Sequence, residues 1–256
     1  MILMINTKVW AHRGASAYAP ENSLEAFELA IQMGAHGIEL DIYETADSKL
    51  VIHHDNDIKR MTNGVEAKIQ ETDFDTLRTY NFNGKWGDKY GFVKIPTLHE
   101  VLDLFRPTDK NINIELKEGS TQYLHAIYNA VKEFGMEEQV LYSSFDHTKL
   151  ARMKAIHPNA KTGALYSEPL IYQPWNYAKM ADFTALHPSY NQLYRFQEQG
   201  IDFVKEAHDA GIAVNPWTAN KEGIMRRLAI WGVDYIITDY PDVALRIIKE
   251  LNEAEA

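Results

Sequence analysis

The sequence predicts an α/β fold, a TIM (β/α)8 barrel with a small insertion after its second strand. Three observations predict it. The chain has 256 residues with 45% hydrophobic content, enough to bury one large core and close to the ~250 residues such barrels use. Short apolar runs alternate with amphipathic stretches along most of it, the pattern of parallel strands joined by helical crossovers. One polar, turn-rich segment, about 57–96, interrupts that rhythm after the second strand. No fixed-period repeat, low-complexity tract or Pro/Gly linker divides the chain, so residues 1–256 are expected to form a single barrel domain carrying this insertion.

In chain order, strands are expected at 8–12, 37–42, 50–53, 112–116, 140–143, 160–164, 183–186, 212–215 and 235–238. That is one run too many for eight places, and 50–53 is read as a hairpin-like extension of the second strand. Helices are expected where apolar residues recur at helical spacing, at 23–33, 98–105, 123–134, 149–156, 199–210, 222–231 and 241–252. Asn22, with Glu25 three residues on, gives the first helix a cap-like start. Within the insertion, Asn63-Gly64, Asn83-Gly84 and Gly87-Asp88 signal turns, while Phe74, Tyr80, Phe82, Trp86, Tyr90 and Phe92 supply apolar mass for a small ordered subdomain. It either caps the barrel mouth or packs on the outer surface.

Composition narrows the partners. Lys+Arg of 26 against Asp+Glu of 36 gives a net charge of −10, which argues against binding the nucleic-acid backbone or an anionic membrane. A small-molecule substrate is expected, and oligomeric state is left open. With no cysteine, disulfides, thiolate nucleophiles and Cys-ligated zinc are excluded. The apolar start at residues 1–5 is too short for a signal-peptide core or a membrane span, so no stable membrane anchor is expected and a cytoplasmic enzyme is the expectation.

The chemistry concentrates in the first two strands. In Gly37-Ile38-Glu39-Leu40-Asp41-Ile42 the alternation throws Glu39 and Asp41 onto one face and the aliphatic residues onto the other. Neighbouring carboxylates repel, and a divalent cation with hard oxygen ligands, Mg²⁺ or Ca²⁺, removes that cost. The competing reading, a solvated strand face, is less natural in a parallel barrel with both faces covered. Asn113-Ile114-Glu115-Leu116-Lys117 repeats the pattern. If its strand lies beside the Glu39 strand, Glu115 completes the metal site and Lys117 becomes a second cation beside Arg13. His12 and His54 each end an apolar run, where a barrel places its chemistry. Singly, either is an ordinary hydrogen-bonding residue. Set among Arg13, Asp41 and Asp55, the two form a general acid and base. His53 would point to the opposite face and is read as structural.

In order along the chain, His12-Arg13-Gly14, Pro20-Glu21-Asn22-Ser23, Glu39-Leu40-Asp41, His54-Asp55, Arg60-Met61-Thr62-Asn63-Gly64, Ile95-Pro96-Thr97-Leu98 and Ile114-Glu115-Leu116-Lys117 resemble the glycerophosphodiester phosphodiesterase family. Ser144-Phe145-Asp146, Trp217-Thr218-Ala219-Asn220 and Thr238-Asp239-Tyr240-Pro241-Asp242 are similar to its later signatures, so the likeness runs from about Lys8 to about Ile248. A lone His-Arg-Gly is a weak signal, whereas this ordered set is specific. Met61 and Ala219 depart from the usual Thr and Val, away from the proposed chemistry. The resemblance implies a TIM barrel that hydrolyses glycerophosphodiesters to sn-glycerol 3-phosphate and an alcohol. It implies His12 and His54 as acid and base, Glu39, Asp41 and Glu115 as metal ligands, and Arg13 and Lys117 on the phosphate. Trp217 is read as a stacking residue for the glycerol or headgroup, or as rim packing. A phosphodiesterase for lysophospholipids or phosphoinositides is the alternative, and a non-catalytic phosphodiester-binding protein a third reading.

Overall fold

The computed structural model describes residues 5–168 and 170–254, so residues 1–4 of the apolar start lie outside it. Eight parallel strands make the barrel: β1 (Lys8–His12), β2 (Gly37–Glu44), β4 (Asn111–Leu116), β5 (Val140–Ser144), β6 (Lys161–Tyr166), β7 (Ala185–Pro188), β8 (Ala213–Val214) and β9 (Tyr235–Thr238). The neighbour order is β8-β7-β6-β5-β4-β2-β1-β9. Between β8 and β9, backbone hydrogen bonds from Asp234 N to Val214 O (3.0 Å) and from Ile237 N to Pro216 O (3.1 Å) nearly close the ring. The ninth run, β3 (Leu50–Ile52), pairs antiparallel with the outer end of β2.

Ten α-helices are described: α1 (Leu24–Gln32), α2 (Phe74–Leu77), α3 (Leu98–Phe105), α4 (Thr121–Glu133), α5 (His147–Ile156), α6 (Pro174–Met180), α7 (Tyr190–Glu198), α8 (Phe203–Asp209), α9 (Glu222–Ile230) and α10 (Pro241–Ala254). None is long and apolar enough to cross a membrane. The main core lies between strands and helices. Ile38, Leu40 and Ile42 of β2 are wholly buried there with Phe27 of α1 and Leu98, Val101, Leu102 and Phe105 of α3, each such side chain stabilising the fold by about 1.5–3 kcal/mol. A capping box starts α3, with Thr97 and Glu100 satisfying each other's backbone N–H.

The structure differs from the sequence expectation in three places. The cap of α1 is Ser23, whose hydroxyl accepts from Ala26 N. Asn22 instead takes a left-handed conformation (φ 54°) and turns toward the barrel. Helices α6 and α7 were not expected, since α6 is one short turn pair and α7 (YNQLYRFQE) is largely polar, burying Gln192, Leu193 and Phe196 on one face. The helix expected from 199 starts at Phe203, because Gly200 in a left-handed conformation (φ 74°) ends α7 first.

The insertion has its own core. Ile58, Met61, Ile69, Leu77, Phe82, Val93 and Ile95 pack with Tyr43 and Val51 of the β2–β3 hairpin. Phe74, Tyr80 and Tyr90 cover it partly, while Phe92 is exposed. Arg78 ties the insertion to α3 through Glu100 (2.8 Å), and Tyr90 donates to the carbonyl of Tyr18 in the β1–α1 loop. His53 bonds Asp57 O and sits edge-on to Phe82, a structural residue as expected.

Candidate active site

Strands β2 and β4 are neighbours, with Asp41 opposite Glu115 and Glu39 opposite Asn113. Alternation then turns Glu39, Asp41 and Glu115 inward together, each buried, with carboxylate oxygens within 4.8 Å of one another. Lys117 places Nζ 2.9 Å from Asp41 Oδ1 and also pairs with Glu115. Arg13 Nε stands 3.5 Å from Asp41 Oδ2, an oxygen that also accepts from the Asn22 amide (2.8 Å). The backbone N–H of Arg13 donates to Glu39 Oε2 (3.1 Å).

The charges in this cluster are unequal. Burial, reinforced by Asp41 and Glu115, pushes the Glu39 carboxyl well above its ordinary range. Burial and Asp41 likewise raise Glu115 to about 7. For Asp41 burial acts upward too, but Lys117 and Arg13 outweigh it and hold the group far below the usual range. Three hard oxygen ligands that repel one another at neutral pH suit Mg²⁺ or Ca²⁺. Asp41 Oδ1 is buried with no hydrogen-bond donor aligned on it, despite the nearby ammonium. These residues fit a divalent cation.

Two imidazoles flank the cluster. His12 ends β1, and its Nδ1 lies 2.6 Å from Asp239 Oδ1, just past the neighbouring β9. The other Asp239 oxygen accepts from the Asn220 amide (2.6 Å). Burial favours a neutral Asp239, but the bonds from His12 and Asn220 prevail and hold it below the usual carboxylate range. His54 arrives by another route. Strand β2 overshoots the rim, β3 runs back along it, and the chain returns to the mouth, where His53 N bonds Asp41 O. His54 Nδ1 is 2.7 Å from Asp55 Oδ1, and Asp55 Oδ2 accepts from Arg60 Nε (2.7 Å). Burial lowers the His54 pKa against the pull of Asp41. With Nδ1 donating to an aspartate, each ring keeps Nε2 free to take or give a proton. For His12 that nitrogen is 3.9 Å from Glu39 Oε2.

Backbone geometry presents Arg13. It has φ 56° and Gly14 φ 80°, a turn that glycine alone takes easily. A Cβ on Gly14 would lie 2.7 Å from the backbone and Cβ of Ala26. Glu21 then receives both Arg13 (2.9 Å) and Arg60 (2.7 Å).

These groups line a cavity of about 90 Å³. His12, Arg13, Glu39, His54, Glu115 and Lys117 form its polar side, with Asp41 buried behind them. Phe145, Leu165, Trp217 and Ile237 form the apolar side, and Asn113 and Ser143 also line it. Trp217 is anchored by its indole N–H on His187 O (2.7 Å) and meets Phe145 edge to face at 5.5 Å. All eight residues singled out in the sequence thus converge on one place. Asp239, Asn220, Glu21 and Arg60 were legible only as parts of motifs, with nothing local to say that they would support His12, Arg13 and His54.

The family model for the glycerophosphoryl diester phosphodiesterase family matches residues 12–243. The chain belongs to this family. Nearly all of it is similar to relatives named glycerophosphodiester phosphodiesterase. It is 35% identical over 249 residues to the one from Caldanaerobacter subterraneus subsp. tengcongensis, covering 96% of this chain and 99% of that protein. It is 34% identical over 250 residues to the one from Bacillus altitudinis, covering 96% and 99%. Among solved structures, an Oleispira antarctica phosphodiesterase in complex with the product sn-glycerol-3-phosphate superposes with a TM-score of 0.84 at 30% identity, covering 94% of this chain and 96% of that one. As a member of the family, this chain is a phosphoric diester hydrolase on a TIM barrel.

Proposed function

We propose that this enzyme hydrolyses glycerophosphodiesters with small headgroups to sn-glycerol 3-phosphate and an alcohol, with a divalent cation held by Glu39, Asp41 and Glu115 and with His12 and His54 moving the protons. The observation that carries this reading is two carboxylate-backed imidazoles facing one buried three-carboxylate cluster in a single cavity. A phosphodiester monoanion repels nucleophiles until its oxygens are neutralised. Arg13 and Lys117 supply positive charge at that place. A bound divalent cation adds Lewis-acid polarisation of a phosphoryl oxygen. One histidine takes the proton of the nucleophile through Nε2 and the other gives a proton to the departing alkoxide. The nucleophile is water, or it is the substrate's own 2-hydroxyl, in which case water then opens the resulting cyclic phosphate with the two roles exchanged. Asp239 and Asp55 stabilise whichever ring is cationic. Trp217 and Phe145 form the wall that meets the headgroup.

The test is release of glycerol 3-phosphate from glycerophosphocholine by metal-stripped protein, before and after Mg²⁺ or Ca²⁺ is restored. Activity that appears only with metal is expected. Full turnover in excess chelator would take the cation out of the reaction. Phe145, half exposed beside Trp217, favours the lysophospholipid reading, and efficient cleavage of lysophosphatidylcholine with none of glycerophosphocholine would promote it.

A further inference from the structure

Two wholly buried side chains that this chemistry does not use line the catalytic cavity. Asn113 of β4 sits opposite Glu39, one residue pair deeper than Asp41 and Glu115, and neither its amide nitrogen nor its amide oxygen has a hydrogen-bond partner. Ser143 of β5 sits opposite Glu115, and its hydroxyl is likewise unpartnered. Barrel interiors normally carry branched apolar side chains at such depths, and a buried polar atom left without a partner destabilises the fold. Retaining three of them at a cavity wall calls for a ligand that satisfies them.

The chemistry of that ligand follows from the donor and acceptor count. An amide and a hydroxyl together offer both donors and acceptors. A phosphate oxygen requires donors alone, and a cation requires acceptors alone. A neutral hydroxyl requires both. The cavity of about 90 Å³ admits only one end of a diester. The cations Arg13 and Lys117 draw the phosphate to themselves, so the part of the diester left to occupy the rest of the cavity is an alcohol, whose carbons meet Leu165 and Ile237.

We propose that Asn113 and Ser143 form the subsite for the free hydroxyls of the glyceryl group and set the preference for glyceryl over simple alkyl phosphoesters. This rests on the glycerophosphodiester reading above and adds the residues that recognise the glyceryl end. A site built to pair a hydroxyl discriminates against analogues lacking it, because its own polar groups are then left unpaired.

Binding separates the two readings without turnover. The probes are sn-glycerol 3-phosphate and ethyl phosphate, which carries the same phosphate and no free hydroxyl, titrated calorimetrically into the intact, divalent-loaded protein. The wild type is expected to favour glycerol 3-phosphate by roughly 10-fold or more. Asn113→Ala and Ser143→Ala should each reduce that ratio about 3- to 10-fold, with ethyl phosphate affinity kept within about twofold. Ser143→Ala removes a single oxygen and keeps the test decisive should Asn113→Ala fold poorly. Equal loss for both probes in Ser143→Ala, an unchanged ratio in both variants, or a wild type indifferent to the hydroxyls would each overturn the subsite. A wild type that cleaves glycerophosphocholine yet is indifferent loses only this inference, whereas one that releases no glycerol 3-phosphate loses the parent reading.

Discussion

Asp239 governs His12 as Asp55 governs His54, since each holds the Nδ1 proton and so decides which nitrogen faces the cavity. Asp239→Asn keeps the shape and removes the charge. Turnover is expected to fall roughly 10²-fold or more with an unchanged melting temperature, and near-normal turnover would exclude Asp239 from the proton relay. His12→Ala and His54→Ala should each lower turnover by about the same order, and the double variant should be little worse than the poorer single one if both act in one step. A double variant showing the full product of both losses would separate their roles. Glu21 is the other residue whose environment makes a measurable claim. Burial acts to raise its pKa, but the bonds from Arg60 and Arg13 win and hold it at about 2 against an ordinary 4.5. Because the folded value is the lower one, the pairing stabilises the protein above pH 4.5 and the contribution fades as pH falls toward 2. Glu21→Gln should therefore destabilise by on the order of 2 kcal/mol at pH 7, and the gap between the melting curves should narrow below pH 4.5. A gap independent of pH would mean that packing, not charge, accounts for the loss.

At the level of elements, the β2–β3 hairpin and the insertion behave as one device. The hairpin brings His54 back to the mouth, and the insertion supplies Arg60, which grips both Asp55 and Glu21. The insertion is therefore more than a screen over the entrance. Arg60→Ala releases His54 and Arg13 together, so kcat on glycerophosphocholine should fall about 10-fold or more while metal binding, whose ligands lie outside the insertion, is kept. Replacing residues 57–96 with a short linker should do at least as much damage. Full turnover in either variant would reduce the insertion to surface packing. The strands were easy to read because each is a short run that is either apolar or alternates apolar with polar residues. Helix α7 was not, since its one buried face includes a glutamine, Gln192, beside Leu193 and Phe196 and the rest of the helix is largely polar, so apolar content does not mark it out.

Across the whole molecule, the barrel interior is filled in an unusual way. His187 lies fully buried there, its pKa lowered to about 3 by burial alone, and its Nε2 accepts from the Asn215 amide at 2.9 Å. Gly163 of the neighbouring strand makes room for the ring, since a Cβ at that position would run into it. Gly163→Ala should therefore overpack the barrel by about 1–3 kcal/mol and lower the melting temperature by several degrees. An unshifted melt would show that the interior can yield. The sequence by itself determined the strand–helix alternation, the inward face of Glu39, Asp41 and Glu115, and the candidate histidines. Those features are local: a period of two, a run of apolar residues, a motif a few residues long. Only the tertiary structure decided that β4 lies next to β2 with Asp41 opposite Glu115, that Asp239 reaches His12 from 227 positions away, and that Asn22 turns to Asp41 instead of capping its helix. Such pairings depend on how the ring closes and in what register, and register is set by the summed packing of every strand and helix rather than by the residues that meet.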